Sequence, residues 1–150
     1  MRLDNFAGPS YHSRCRENRQ GAILNQPLHI LIAASEATPL ARSSYMGDVV
    51  SALPAALLDL GVSASLLIPR YSLIPDRYPQ ERIASRIAVP IGDHYKHADL
   101  YRTMLDKLPV YLVDQPDYFQ REALYRSGSG EYADNAERFI FFARSIVEMI

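Results

Sequence analysis

At 150 residues the chain is long enough for one domain with its own core, and its 48% hydrophobic and 22% charged content is that of an ordinary globular protein. A net charge of -1 gives no electrostatic ground for nucleic acid or an anionic membrane as partner, and no apolar run reaches the length of a membrane-spanning helix. A single cysteine, Cys15, excludes an internal disulfide and sets a reducing, cytoplasmic compartment as the expectation.

Residues 1–26 are polar, dotted with Arg2, Arg14, Arg16 and Arg19, and have no apolar period. They read as a flexible arm ahead of a domain spanning 27–150. LHILIAAS then supplies an apolar run of strand length, which predicts a parallel strand over Leu28–Ala34 covered on both faces. SEATPLARSSYMG gathers Ser, Pro and Gly into a loop at the carboxyl end of that strand, where open parallel sheets bind ligands. DVVSALPAALLDLG has helical spacing. A helix is expected from near Gly47, with Asp48 favoured in its first turn by the helix dipole and Gly61 as its stop. Pro54 lacks a backbone donor and predicts a kink or split in that helix. VSASLLIP is the second strand, and strand, helix and strand in succession predict a right-handed βαβ crossover.

Beyond Pro69, RYSLIPDRYPQ reads as a surface loop. RIASRIAVPI and HYKHADLYRTML read as strands separated by Gly92 and Asp93, and VYLVD as a short buried strand. His94 and His97 are three apart on a predicted strand, so they project to opposite faces with no third ligand nearby; surface histidines are expected, not a metal pair. Tyr95, Tyr101 and Tyr111 read as strand packing. PDYFQREALYR is a short helix or structured loop and SGSGEY a flexible turn. DNAERFIFFARSIVEMI is an apolar helix that Asp134 or Asn135 can cap, with Phe139, Phe142 and Ile146 on one face and the FIFF cluster in the core. The pattern breaks off at Ile150 with its apolar face still asking for neighbours, which predicts a truncated domain.

ASEATPLARSSYMGDVVSALPAALLDLGVSASLLIPRY resembles the amino-terminal start of bacterial glycogen synthases and plant starch synthases. VYLVDQPDYFQREALY and YADNAERFIFFAR resemble later blocks of the same family, in the same order, so that the likeness covers about residues 28–150. That family comprises retaining glucosyltransferases that use ADP-glucose and place two Rossmann-like domains across a cleft, the GT-B architecture. The resemblance therefore implies an α/β fold: the Rossmann-like amino-terminal half of a GT-B glycosyltransferase, with a mostly parallel sheet and the C-terminal domain missing. It implies a sugar nucleotide and an α-glucan acceptor as partners, with no further cofactor and no metal.

The family's first loop reads Lys-Thr-Gly-Gly-Leu, where this chain has Arg42, Ser43, Ser44, Tyr45 and Met46. By resemblance Arg42 stands for the lysine that contacts the sugar nucleotide, and Ser44 and Tyr45 for the two glycines. Gly47, Asp48 and Glu36 match the family, as do Asp134, Asn135, Arg138 and Phe139; Tyr125 lies where members place a tyrosine near the substrate cleft. Arg42 is thus implied to offset diphosphate charge, and Glu36, Gly47 and Tyr125 to shape the cleft. No catalytic residue is assigned, because retaining transferases of this kind lack an obvious carboxylate nucleophile. From the residues alone, Glu36 reads as a substrate contact or a loop anchor, and Asp48 as a helix-start residue.

The departures carry an expectation of their own. Glycines in a ligand-facing loop serve close backbone approach or positive φ. Ser44 and Tyr45 are expected to crowd the diphosphate, and to cost about 1–2 kcal/mol each where left-handed geometry is kept. Arg42 keeps the charge but replaces a movable ammonium with a planar fork. Two further readings follow: a non-catalytic homologue acting as a glucan-binding or assembly module, and a transferase for a different sugar nucleotide.

Overall fold

The computed structural model describes residues 28–150; the expected arm over 1–26, Cys15 included, lies outside the described residues. In chain order the elements are β1 (His29–Ala33), α1 (Tyr45–Asp59), β2 (Ser63–Pro69), β3 (Glu81–Ile91), β4 (His94–Leu105), β5 (Leu108–Asp114), the single turn α2 (Pro116–Phe119), the short strands β6 (Arg126–Ser127) and β7 (Gly130–Glu131), and α3 (Asn135–Met149). Five strands form one sheet in the order β1-β2-β5-β4-β3. β1–β2 and β2–β5 pair parallel, while β5–β4 and β4–β3 pair antiparallel.

The sheet is therefore mixed, which corrects the mostly parallel expectation. The reason lies in the connections: Gly92–Asp93 and Asp106–Lys107 are two-residue links, and a link that short can only reverse the chain. Gly92 at φ +61° and Asp106 at φ +52° supply the left-handed geometry such turns use. β1 is also not covered on both faces. It sits at the edge, with exposed ends and a half-buried middle, because only β2 pairs with it among the described strands. The core lies instead on β2 and β5, where Leu66, Leu67, Ile68, Val110, Leu112 and Val113 are fully buried.

α1 begins at Tyr45, two residues before Gly47, because Ser44 caps it: in extended geometry its Oγ accepts the Met46 N–H at 3.1 Å. Pro54 neither splits nor ends the helix; its ring lies on the buried face, and that burial offsets the backbone bond it cannot make. At the far end Gly61 (φ +79°) donates to the Leu58 carbonyl and Val62 to Leu57, the paired bonds of a Schellman stop.

α3 buries Arg138, Phe141, Phe142, Ser145 and Met149, while Phe139 and Ile146 are half-buried flanks. The expected stripe is thus displaced by about a residue, because Arg138 takes the middle of the buried face. Its Nε donates to the Tyr118 carbonyl at 2.7 Å and one terminal nitrogen to the Leu124 carbonyl and Asn135 Oδ1. Asp134 holds the N-cap position but caps nothing, since its carboxylate faces Arg121 at 2.5 Å. Tyr111 is buried and Tyr101 lies under the Arg70 guanidinium at 4.1 Å, whereas Tyr95 is exposed and does not pack as expected. His94 and His97 are exposed, and the described residues contain no cluster of three or more metal-ligating side chains. No helix among them is long and apolar enough to cross a membrane.

Candidate functional site at the carboxyl end of β1

The loop leaving β1 is tied to itself and to α1 by short bonds. Ala37 and Ala41 exchange both backbone hydrogen bonds at 2.8 Å. Thr38 donates its N–H to the Gly47 carbonyl and its hydroxyl to Asp48 at 2.6 Å, and the Ser51 hydroxyl donates to the Thr38 carbonyl. A Cβ placed on Gly47 would lie 3.2 Å from Thr38 Oγ1, tighter than side chains normally pack. Gly47 lets the loop lie close on the helix; a side chain there would press Thr38 aside by a few tenths of an ångström.

Glu36 is the centre of this loop. It is only 3% exposed. Oε2 accepts the Ser43 N–H (2.6 Å), the Ser43 hydroxyl (3.0 Å) and the Ser44 N–H (3.0 Å), while Oε1 accepts the Ser44 hydroxyl (2.6 Å). Burial alone would push its carboxyl up, but the bonds from Ser44 and Ser43 together outweigh it and hold the group below the usual glutamate range. A carboxylate of the chain itself thus occupies the backbone donors that lead into the N-terminus of α1, the place where an external anion would otherwise be received.

On the inner side, the Tyr125 hydroxyl donates to Ser35 Oγ at 2.8 Å and the Tyr71 hydroxyl to the Ser35 carbonyl at 2.7 Å. Burial raises both phenols, so each is a neutral donor. On the outer side, Arg42 pairs with Asp48 at 2.9 Å with both side chains about half exposed, and its guanidinium carbon stands 5.9 Å from the Tyr45 ring centroid. The bonds from Thr38 and then Arg42 keep Asp48 below the ordinary aspartate range. The structure therefore brings Ser43 and Ser44 onto Glu36 and Tyr125 onto the neighbouring Ser35, places Gly47 beneath the loop, and leaves Arg42 and Tyr45 on its rim.

The strain expected at the two replaced glycines is absent. Ser44 is extended (φ -143°, ψ 178°), Tyr45 is the first helical residue, and the described non-glycine residues with positive φ are Arg86 and Asp106. Ser44 gains from its side chain, which both caps α1 and holds Glu36. The Tyr45 ring is 82% exposed and projects into solvent.

A second polar group at the carboxyl ends of β2 and β5 was not singled out from sequence. Arg70 pairs with Asp114 at 3.2 Å and donates to Gln80 at 2.7 Å, while the Gln120 amide donates to Asp114 and to the Arg70 carbonyl. The charged residue closing each of two buried strands, at the sheet end where ligands gather, was the available signal. By contrast, a depression of about 240 Å³ between Thr38, Ser51, Ala55 and the β4–β5 turn has Asp106 and no cation in its lining. It falls below the ~300–1,000 Å³ of small-molecule sites and offers nothing to a diphosphate.

The starch synthase catalytic domain family matches residues 29–150, nearly all of the described chain. The chain belongs to this family. A glycogen synthase of Koribacter versatilis is 40% identical over 122 residues, covering 81% of this chain, and one of Clostridium acetobutylicum is 38% identical over 125 residues, covering 82%. The chain spans about a quarter of the length of each. The solved catalytic domain of starch synthase IV from Arabidopsis thaliana, bound to ADP and acarbose, has the same fold over 82% of this chain and 25% of its own, with a TM-score of 0.72 at 23% identity. In this synthase-family chain the loop leaving β1 is lined by serines and built around a buried glutamate.

Proposed function

We propose that this chain is one wall of a retaining glucosyltransferase, the acceptor-side portion of a GT-B enzyme that moves glucose from ADP-glucose to the end of an α-1,4-glucan, and that it is inactive by itself. In that reaction the bond from glucose C1 to the ADP oxygen breaks, a bond from C1 to an acceptor hydroxyl oxygen forms, and the hydroxyl proton leaves with ADP as the other product. Family membership supports the reaction class, and the ADP and acarbose held by the Arabidopsis relative support nucleotide and glucan as ligand classes. A cytoplasmic setting belongs to the same reading.

The observation that carries the site assignment is the ionised, buried Glu36 set at the carboxyl end of β1 by four donors. It fixes the loop as a rigid floor. Glu36, Gly47 and Tyr125 then shape the acceptor side of the cleft, and Arg42 is the loop's contribution to offsetting diphosphate charge, through electrostatic stabilisation as the donor departs. Because Asp48 shares its charge, Arg42 acts as a rim cation rather than part of a closed cradle.

The test is a chimera: the Koribacter versatilis synthase with its matched quarter replaced by residues 29–150. ADP-glucose-dependent elongation of glycogen is the expected result. Glycogen binding with neither ADP-glucose binding nor elongation would favour the second reading, a glucan-binding or assembly module, for which the already filled loop donors are the specific support. Restoring Ser44→Gly and Tyr45→Gly in the chimera separates the two: a large gain in donor affinity would mean that the replaced loop is what keeps the donor out, whereas no change would mean that the pocket is given up elsewhere.

A further inference from the structure

At the carboxyl ends of β2 and β5 a planar cation is held rigid. Arg70, the first residue past β2, has its backbone fixed on both sides: its N–H donates to the Val113 carbonyl at 2.8 Å and its carbonyl accepts from the Gln120 amide at 3.0 Å. Its guanidinium carbon lies 4.1 Å from the Tyr101 ring centroid, while Nε donates to Gln80 at 2.7 Å and Nη1 to Asp114 at 3.2 Å. A fork held by a ring, an amide and a carboxylate has given up its rotamer freedom before any ligand arrives.

Those bonds leave a mixed set of open groups. Gln80 accepts through Oε1, and Gln120 donates through Nε2 to Asp114 and to the Arg70 carbonyl. Among the described residues nothing bonds Arg70 Nη2, Gln80 Nε2 or Gln120 Oε1, and Arg70 Nη2 and Gln80 Nε2 both reach solvent. Two donor groups and an acceptor therefore stand open in one cluster. The cluster has no excess charge. Asp114 is offset by Arg70, and Asp99, its register partner across β4 and β5, is offset by Arg82 at 3.3 Å. A diphosphate gains little from such a group, whereas hydroxyls, which both donate and accept, match it.

The location agrees. β1, β2 and β5 are parallel neighbours, so their carboxyl ends follow one another at about 4.8 Å per strand. Tyr71, next to Arg70, donates its hydroxyl to the Ser35 carbonyl beyond the end of β1. Arg70 and Asp114 thus stand one and two strands along from the Glu36 loop, within the span of a short oligosaccharide.

We propose that Arg70, Gln80 and Gln120 form a subsite for a neutral sugar, bound through adjacent ring hydroxyls, in line with the Glu36 loop. That the sugar belongs to an α-glucan rests on the proposed function; the subsite itself does not.

The test titrates the 150-residue chain with maltotetraose and follows the glutamine side-chain amides and the Arg70 Nε–H by NMR. Saturable shifts at Gln80, Gln120 and Arg70 are expected. Gln80→Ala should weaken binding about fivefold or more, the loss of one hydrogen bond. Arg70→Lys keeps the charge without the fork and should weaken it about tenfold or more; if that variant fails to fold, Gln80→Ala and the shift map decide. No saturable shift at roughly 10 mM sugar, shifts confined to other residues, full binding by Gln80→Ala, or equal shifts with ADP alone would each overturn the proposal. Cellotetraose bound in place of maltotetraose supports the subsite and counts against the α-1,4-glucan reading.

Discussion

Glu36 and Arg138 are both buried charges, and among the described residues neither meets an opposite charge at hydrogen-bond distance. Arg138 is enclosed by main-chain carbonyls of Tyr118 and Leu124, by Asn135, and by the rings of Phe119, Tyr132 and Phe139 at 5.0–5.6 Å. It fastens α2, the loop after it and α3 to one another. Glu36 is satisfied wholly by Ser43 and Ser44, seven and eight residues away. The same physical device works at two scales: one charge closes the fold and the other shapes a single loop. Only the second stands at the carboxyl end of a parallel strand, so only the second lies in the candidate site.

The contrast is broken most directly at Arg138. Its burial lowers the guanidinium from its ordinary range, so the bonds it makes must repay desolvation. Arg138→Met leaves two buried carbonyls without a donor and is expected to destabilise the chain by about 3–5 kcal/mol in urea unfolding. A loss under about 1 kcal/mol would show that the aromatic cage holds α3 without it.

Glu36→Gln should cost less, about 1–3 kcal/mol at neutral pH, because one amide group cannot accept all four bonds. The pH dependence sharpens the point. A carboxyl whose folded pKa lies below its unfolded value contributes stability that is fully present above the ordinary glutamate range. That contribution is lost as pH falls through that range into the depressed folded value. The gap between the natural chain and Glu36→Gln should therefore close on acidification; a constant gap would mean that ionisation of Glu36 does not hold the loop.

Gly47→Ala is the mildest of the three. Thr38 must give by a few tenths of an ångström, and the gain in helix propensity offsets part of that, leaving about 1 kcal/mol of destabilisation in the same assay. A stabilised variant would show the Thr38 loop to be compliant.

Much of this architecture could be read from the residues. The apolar runs, Gly61 as a stop, the Gly92–Asp93 turn and the β1–loop–α1 unit all announce themselves by local chemistry. The mixed sheet did not, because Asp106–Lys107 is a turn whose left-handed residue is an aspartate rather than a glycine, so β4 and β5 did not read as a hairpin. The buried face of α3 reads about a residue off from sequence because an arginine in a helical pattern counts as solvent-facing until its carbonyl partners, distant in sequence, are known. Around the site, comparison with glycines made Ser44 and Tyr45 look like losses. Ser44 proved to be a cap and a clamp, since hydroxyl partners eight residues apart are invisible to periodicity.

The account rests on Glu36 being an ionised anion inside the loop, and a carboxyl carbon NMR titration of glutamate-labelled protein measures that directly. It predicts a Glu36 midpoint below the ordinary value of about 4.3, with the Ser43 and Ser44 amide shifts moving at the same pH. A midpoint at or above the ordinary value, or serine amides indifferent to it, would contradict the account.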